Sequence, residues 1–351
     1  MLKSVKNEKH GKEGYVYVSY GHLKYLKHAI ASAITLRRYD SERPIALVCV
    51  DKQRRFLEEK GLTNLFDVIY PLPEEHASIV GFKHNIHHYL LFERNLFLDS
   101  DIVWCRNPDS LWQSLAPFEF TITGTLISDN FFGASKNAAV LKDIFLGRRK
   151  RTLKRFGLTY LSRVQTGMMY ATDYDTTKKV CHLAGEMLDK KEMTHFRSRK
   201  MEQGRTEESC EWSLAMAMSK LNIPVYSWLQ GHNSPQLDYI GLFTEHDDEF
   251  EYVNCRYYSH QFVYSIRGLK SDWLKKALIS ILSLVPGNGD YMMVTPYCLH
   301  FGWYHEKQPF YEFTEHIWFK LQSNTEQQIS RIKARTPQGK ENSSADAHNK
   351  N

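Results

Sequence analysis

Apolar positions in the N-terminal third of the chain switch repeatedly between short apolar runs and helical spacing. Tyr15 to Ser19 reads as a strand and Leu23 to Arg38 as an amphipathic helix. Ile45 to Val50 is a second apolar strand, followed by a short helix over Lys52 to Lys60 that Gly61 closes. Leu65 to Tyr70 is strand-like, and Ser78 to Phe92 is predicted helical. Asn95 to Leu98 is then a short apolar strand that runs straight into Asp99. Strands alternating with helices require crossover connections, so the strands belong to a mainly parallel sheet covered on both faces. The expected class is α/β. In such sheets ligands bind at the carboxyl ends of strands, where the strand order switches.

Beyond this region the pattern is mixed. Pro108 to Leu115 reads as a helix with Pro near its start. Phe118 to Thr123 reads as a strand ending at Gly124, Thr166 to Ala171 as another strand, and Cys210 to Lys220 as a helix. Past Ser271 the spacing is helical to about Val285, and no clear period follows. This divides the chain into a main domain over 14–273, an extension over 274–322 packed on it, and a polar, aperiodic, disordered tail over 323–351. The aromatic residues Tyr297, Phe301, Trp303, Tyr304, Phe310, Tyr311 and Phe313 read as packing of that extension, with His300 and His305 as structural residues.

Composition sharpens this picture only a little. At 351 residues with 42% hydrophobic content, the chain can bury one large core, and no apolar run is long enough to span a bilayer. Met1 to Gly14 is polar and Lys-rich, without the apolar core of a secretory signal, so residence in the cytoplasm is expected. The six cysteines lie far apart without C-x-x-C spacing, which argues against a structural zinc site and a disulfide framework. The net charge of +6 is concentrated in Arg148, Arg149, Lys150, Arg151, Lys154 and Arg155, with a second cluster at Arg197, Arg199, Lys200 and Arg205. Such runs are either solvated faces or sites for something anionic, such as a membrane surface touched peripherally through 148–155. No nucleic-acid-binding motif accompanies them.

The segment Leu96-Phe97-Leu98-Asp99-Ser100-Asp101-Ile102-Val103 carries the chemistry. In an extended backbone, residues two apart point the same way, so Asp99 and Asp101 present two carboxylates together at a strand end. Their mutual repulsion is relieved by a divalent cation, and oxygen ligands suit Mn²⁺ or Mg²⁺.

Phe92 through Ile102 resembles the Y-L-D-x-D segment of GT-A glycosyltransferases, particularly family 8, the glycogenin and bacterial galactosyltransferase type. The resemblance implies a Rossmann-like GT-A fold with a helical C-terminal extension. It also implies a metal-dependent hexosyltransferase that takes a UDP-sugar donor and a glycan, lipid-linked or protein acceptor. The metal would be held by Asp99 and Asp101, with Ser100 beside them at the donor. The opening strand and helix correspond to the family's uridine pocket, which nominates Ser19 and Tyr25. Lys83 stands where the family has a basic donor contact. Gln165-Thr166-Gly167-Met168-Met169 resembles the N-x-G-v-m segment lining the sugar pocket, with Gln165 replacing Asn and Gly167 conforming. Glu211-Trp212 lies near the family's Asp-Gln pair, and Asp129 is a sugar-hydroxyl ligand by the same analogy. His260 and Lys270, with Gly268 and Trp273, resemble the family's H-x-x-G-x-x-K-P-W motif. They would supply the third metal ligand and a diphosphate contact. A family 8 enzyme retains anomeric configuration. Membership of the broader GT-A group alone would allow inversion, with Asp129 or Glu211 as base.

Two alternatives use the same residues differently. Asp99-Ser100-Asp101-Ile102-Val103 also fits the nucleophile motif of haloacid-dehalogenase-like phosphatases, although that motif ordinarily follows the first strand. A non-catalytic sugar-nucleotide-binding scaffold with a degenerate site is the other.

Overall fold

Strand β1 (Glu13–Ser19) buries Tyr15 and Tyr17 in one apolar cluster and Val16 in another. β2 (Ile45–Cys49) divides in the same way, with Ile45, Leu47 and Cys49 on one side and Ala46 and Val48 on the other. Strands apolar on both sides must lie between two layers, and this is how the computed structural model is built. It describes residues 9–125, 142–143, 145–198, 200, 207–227, 236–258, 269, 271–284, 290–302 and 306–323.

The main sheet has the order β3-β2-β1-β4-β7-β6-β8. Its further members are β3 (Val68–Pro71), β4 (Arg94–Leu98), β6 (Phe120–Thr125), β7 (Arg163–Ala171) and β8 (Tyr226–Ser227). Pairings β3–β2–β1–β4 and β6–β8 are parallel, and β7 alone runs against its neighbours. The helices are α1 (Leu23–Arg37), α2 (Asp51–Glu59), α3 (Ile79–Lys83), α4 (Asp109–Leu115), α5 (Arg148–Phe156), α6 (Tyr174–Asp189), α7 (Glu211–Lys220), α8 (Asp272–Leu282) and α9 (Gln308–Ser323). The expected α/β architecture, a largely parallel sheet flanked by helices, is therefore present. All six cysteines are buried and free.

Three local expectations need correcting. The helix expected over Ser78 to Phe92 is broken into α3 and a 3₁₀ turn at Ile86–Tyr89. Asn85 leaves the helical region at φ −128°, and its side-chain Nδ2 donates to the Gly81 carbonyl at 2.9 Å. The strand expected to stop at Gly124 continues to Thr125 across a register shift. Past residue 285, where no period was legible, lie β12 (Tyr291–Val294), β13 (Cys298–His300) and α9.

These late elements share the core of the earlier ones. β13 pairs antiparallel with β5 (Ile102–Trp104) and parallel with β9 (Gln236–Asp238), forming a small sheet. β12 pairs with β11 (Val253–Tyr258), which pairs with β10 (Thr244–His246). α9 lies along α1, with His28 between Phe310 and Tyr311 and Lys27 over the Trp318 ring.

Candidate functional site

The two sheets meet at Asp99-Ser100-Asp101. β4 ends at Leu98 and β5 begins at Ile102, so these residues form a bend between sheets rather than an extended strand. Each end of the bend is fixed by backbone. The Asp99 amide donates to the Gly167 carbonyl on β7, and the Asp101 carbonyl accepts from the Phe301 amide just past β13, both at 2.9 Å. The carboxylates thus converge for a different reason from simple strand alternation.

Between them stands His300. Ligand atoms of Asp99, Asp101 and His300 all lie within 4.8 Å of one another. His300 Nε2 is 3.6 Å from Asp101 and 3.9 Å from Asp99, and Nδ1 is 3.0 Å from Asp238 Oδ1. Read from the sequence as structural, this histidine is part of the acidic site. Its place depends on Gly302, since a Cβ there would fall 2.5 Å from His300 Cε1.

Each carboxylate of the pair has its own lysine. Lys83 Nζ is 2.7 Å from Asp99 and also donates to the Thr166 carbonyl at 3.0 Å and hydroxyl at 2.9 Å. Lys307 Nζ is 2.5 Å from Asp101. Burial works against the charge on Asp101, but Lys307 and His300 beside it outweigh burial and hold its carboxyl well below the usual range. Burial likewise disfavours the charged forms of His300, Lys83 and Lys307. The adjoining carboxylates reverse this and raise all three: Asp101, Asp238 and Asp99 around His300, Asp99 beside Lys83, Asp101 beside Lys307.

Gln165 is buried with its Nε2 2.7 Å from His300 Nδ1. Its Oε1 accepts from the Gly167 amide at 2.6 Å and from the Gln236 side chain, which orients the amide group. A Cβ on Gly167 would approach that Oε1 at 2.7 Å, so the tight turn of side chain onto backbone needs glycine. Glu211 opens α7, and burial pushes its carboxyl up to about 7, against the influence of Lys83 and Arg163. Ser100 is half-buried in the bend. Ser19, at the end of β1, is buried with an Oγ that has no hydrogen-bond partner among the described residues. Tyr25 is exposed on the first turn of α1, its ring edge-on to His28.

Asp129, His260 and Lys270 lie outside the described residues. The structure instead brings His300 and Lys307 to the two carboxylates, residues that carried no such role in the sequence reading. Their signal was present: His300, Gly302, Lys307 and Pro309 repeat the order His, Gly, Lys, Pro of the family motif, with altered spacing. Asp238 had no such signal, because a lone Asp after a short strand reads as a turn residue.

The site's chemistry is that of a cation-holding, anion-balancing centre. Two carboxylates and an imidazole whose other nitrogen faces a carboxylate fit a divalent ion, since such a partner fixes the ring and raises its basicity. Lys83 and Lys307 add positive charge on either side.

No protein-family model matches the chain, and no curated protein matches it. Solved structures similar to it are glycosyltransferases. GlyE of Streptococcus pneumoniae TIGR4 aligns over 90% of this chain at 13% identity with a TM-score of 0.44, and the chain spans 64% of GlyE's length. The galactosyltransferase LgtC, solved with donor and acceptor sugar analogues, aligns over 86% of this chain and 95% of its own at 12% identity and a TM-score of 0.43. The bifunctional glycosyltransferase WbbM aligns over 94% of this chain and 53% of its own at 12% identity and a TM-score of 0.48. At such identities and scores, what the chain does has to be read from its own side chains.

Proposed function

We propose that this protein is a metal-dependent GT-A glycosyltransferase that moves a hexose from a nucleotide-sugar, a UDP-sugar, to an acceptor hydroxyl. The observation that carries this is the meeting of Asp99, Asp101 and His300 at the carboxyl end of β4, with Lys83 and Lys307 beside them. Asp99, Asp101 and His300 would hold the ion, and the imidazole favours Mn²⁺ over Mg²⁺. The bound ion supplies electrostatic stabilisation of the departing nucleoside diphosphate.

The chain's own groups do the rest. Lys307 and Lys83 place fixed positive charge where the diphosphate gains negative charge, and being nearly buried they act at low dielectric. Asp238 holds His300 with Nδ1 as donor, leaving Nε2 directed at the two carboxylates. Glu211, with its carboxyl raised to about 7, can carry or release a proton near neutrality and is the group for the acceptor hydroxyl if the reaction inverts. Retention is what the family 8 resemblance implies, and NMR of the newly formed anomeric bond decides between the two. Ser19, buried with a free hydroxyl at the end of β1, fits a contact to the nucleoside. The phosphatase alternative leaves His300 and Asp238 without a role.

The test is calorimetric titration of UDP and UDP-sugars with and without Mn²⁺. Tight binding is expected only with the ion, and Asp101→Asn should abolish it while the protein stays folded. Equal UDP binding by the wild type without metal, or no binding in either case, would sink the proposal.

A further inference from the structure

Helix α5 is arranged against its own stability. Its first turn has no acidic residue, and Arg148, Arg149 and Lys150 crowd the positive end of the helix dipole. Lys150 with Lys154, and Arg151 with Arg155, are like charges four residues apart, each pair unfavourable on a helix surface. Lys150, Arg151, Lys154 and Arg155 are all exposed, and none of the four is ion-paired with a carboxylate of the described residues. Only Thr152 is fully buried, with Leu153 and Phe156 partly so.

Apolar side chains are joined to this charge. Phe145 is 85% exposed and Leu146 48%, immediately before the helix, and Arg151 donates to the Leu146 carbonyl at 3.0 Å. Arg155 donates to the carbonyl of Met193, another exposed apolar residue. One surface therefore carries exposed apolar groups together with cations that pair with no carboxylate of the described residues.

We propose that this surface binds an anionic phospholipid bilayer, with the four cations among the headgroups and Phe145, Leu146 and Met193 entering the interfacial region. Cations alone would serve any polyanion. The adjoining apolar groups gain nothing from a purely polar polyanion and do gain from a phase with a hydrocarbon boundary, which favours the bilayer. Such docking would bring a lipid-linked acceptor to the protein, and it stands independently of the donor site.

The experiment is co-sedimentation of the full chain with phosphatidylcholine vesicles and with phosphatidylcholine–phosphatidylserine vesicles, without nucleotide or metal. Binding is expected to the anionic vesicles only and to be lost at high salt. Each cation near such a surface is worth about fivefold in affinity, so replacing all four with Gln should weaken binding on the order of several hundredfold. Lys150→Gln with Lys154→Gln, both at exposed positions, should cost roughly twenty-five-fold and guards against misfolding of the quadruple variant. Phe145→Ser should weaken binding about tenfold while leaving the salt dependence intact. Equal sedimentation with both vesicle types, unchanged binding by the double variant, or binding to heparin without binding to vesicles would each overturn the proposal.

Discussion

The two carboxylates of the site are held from opposite ends of the chain, and the two holds differ. Asp99 is gripped by Lys83, from the short helix just before β4, and that ammonium has three acceptors: Asp99 and both oxygens of Thr166. Asp101 is gripped by Lys307, which follows the final strand, and the bond to Asp101 is its close contact. Lys83 is thus a structural tie as well as a charge, built into the β4–β7 neighbourhood. Lys307 is chiefly a charge, delivered by an arm whose backbone is tied to Asp101 through the Phe301 amide. The difference implies that the N-terminal grip survives without the C-terminal one, but not the reverse.

The largest expected effect tests that asymmetry. Lys83→Met takes the ammonium from a half-buried carboxylate and from both buried Thr166 oxygens, of which the hydroxyl keeps its contact with the Cys210 thiol, and should cost about 3 kcal/mol of stability, the lower end for breaking a buried ion pair. Lys307→Met should cost less, about 2 kcal/mol, because it takes the ammonium from one carboxylate rather than from a carboxylate and a threonine. Urea unfolding of the two variants measures both. Equal losses would erase the distinction. Saturating Mn²⁺ should restore more stability to Lys307→Met than to Lys83→Met, since an ion replaces a charge but not hydrogen bonds to a threonine.

The same asymmetry decides what could be read from sequence. The N-terminal half of the site was legible because its carboxylates are local: an apolar strand runs directly into Asp99, alternation of strands and helices places ligands at that strand's carboxyl end, and the family resemblance nominated Lys83. The twofold burial of β1, β2 and β4 has the same local origin, since uninterrupted apolar runs can only be central strands. The C-terminal arm was not legible. β13 is three residues long, and its register against β5 and β9 is a long-range fact that no periodicity encodes. His300 among Tyr297, Phe301 and Phe310 has the surroundings of a core residue in sequence. Only the order His, Gly, Lys, Pro set it apart, and the family motif is matched in sequence by His260 and Lys270, which lie outside the described residues. Gln165 was nominated by resemblance, but its contact is with His300 rather than anything the sequence could specify.

A medium effect separates positioning from packing on the C-terminal side. His300 Nδ1 has two competing neighbours: Asp238, which can only accept a proton's hydrogen bond, and the Gln165 amide, which as oriented can only donate. Asp238 therefore selects the tautomer with Nε2 free to bind an ion, and Gln165 favours the opposite one. Asp238→Asn should weaken Mn²⁺ binding 10- to 100-fold, or about 1.4 to 2.7 kcal/mol, with little change in unfolding free energy. Titration calorimetry with the ion alone reads this without any turnover. A large loss of stability with unchanged Mn²⁺ affinity would make Asp238 a packing residue.

The smallest effect comes from pH and again opposes two histidines, one in the site and one behind it. His28 is buried under Phe310 and Tyr311 where α9 meets α1, and burial pushes its imidazole down to about 4 from an ordinary 6.5. Between pH 6.5 and 4 the unfolded chain therefore binds a proton that the folded one refuses. Stability falls as the pH is lowered through that window, at up to about 1.4 kcal/mol per pH unit for this one group, and is unaffected above it. His300 has the opposite sign. Its imidazole is raised by Asp101, Asp238 and Asp99, so in the metal-free protein its contribution is complete below 6.5 and is lost as pH rises through the folded value. His28→Phe keeps the ring packing and should flatten the acid limb of the stability curve by about one proton, whereas His300→Phe should leave that limb alone and change the limb above 6.5. Urea midpoints from pH 4.5 to 8 measure both limbs. If His28→Phe leaves the acid slope untouched, the junction of α1 with α9 is wet rather than sealed, and the C-terminal arm that carries Lys307 is held more loosely than its aromatic contacts imply.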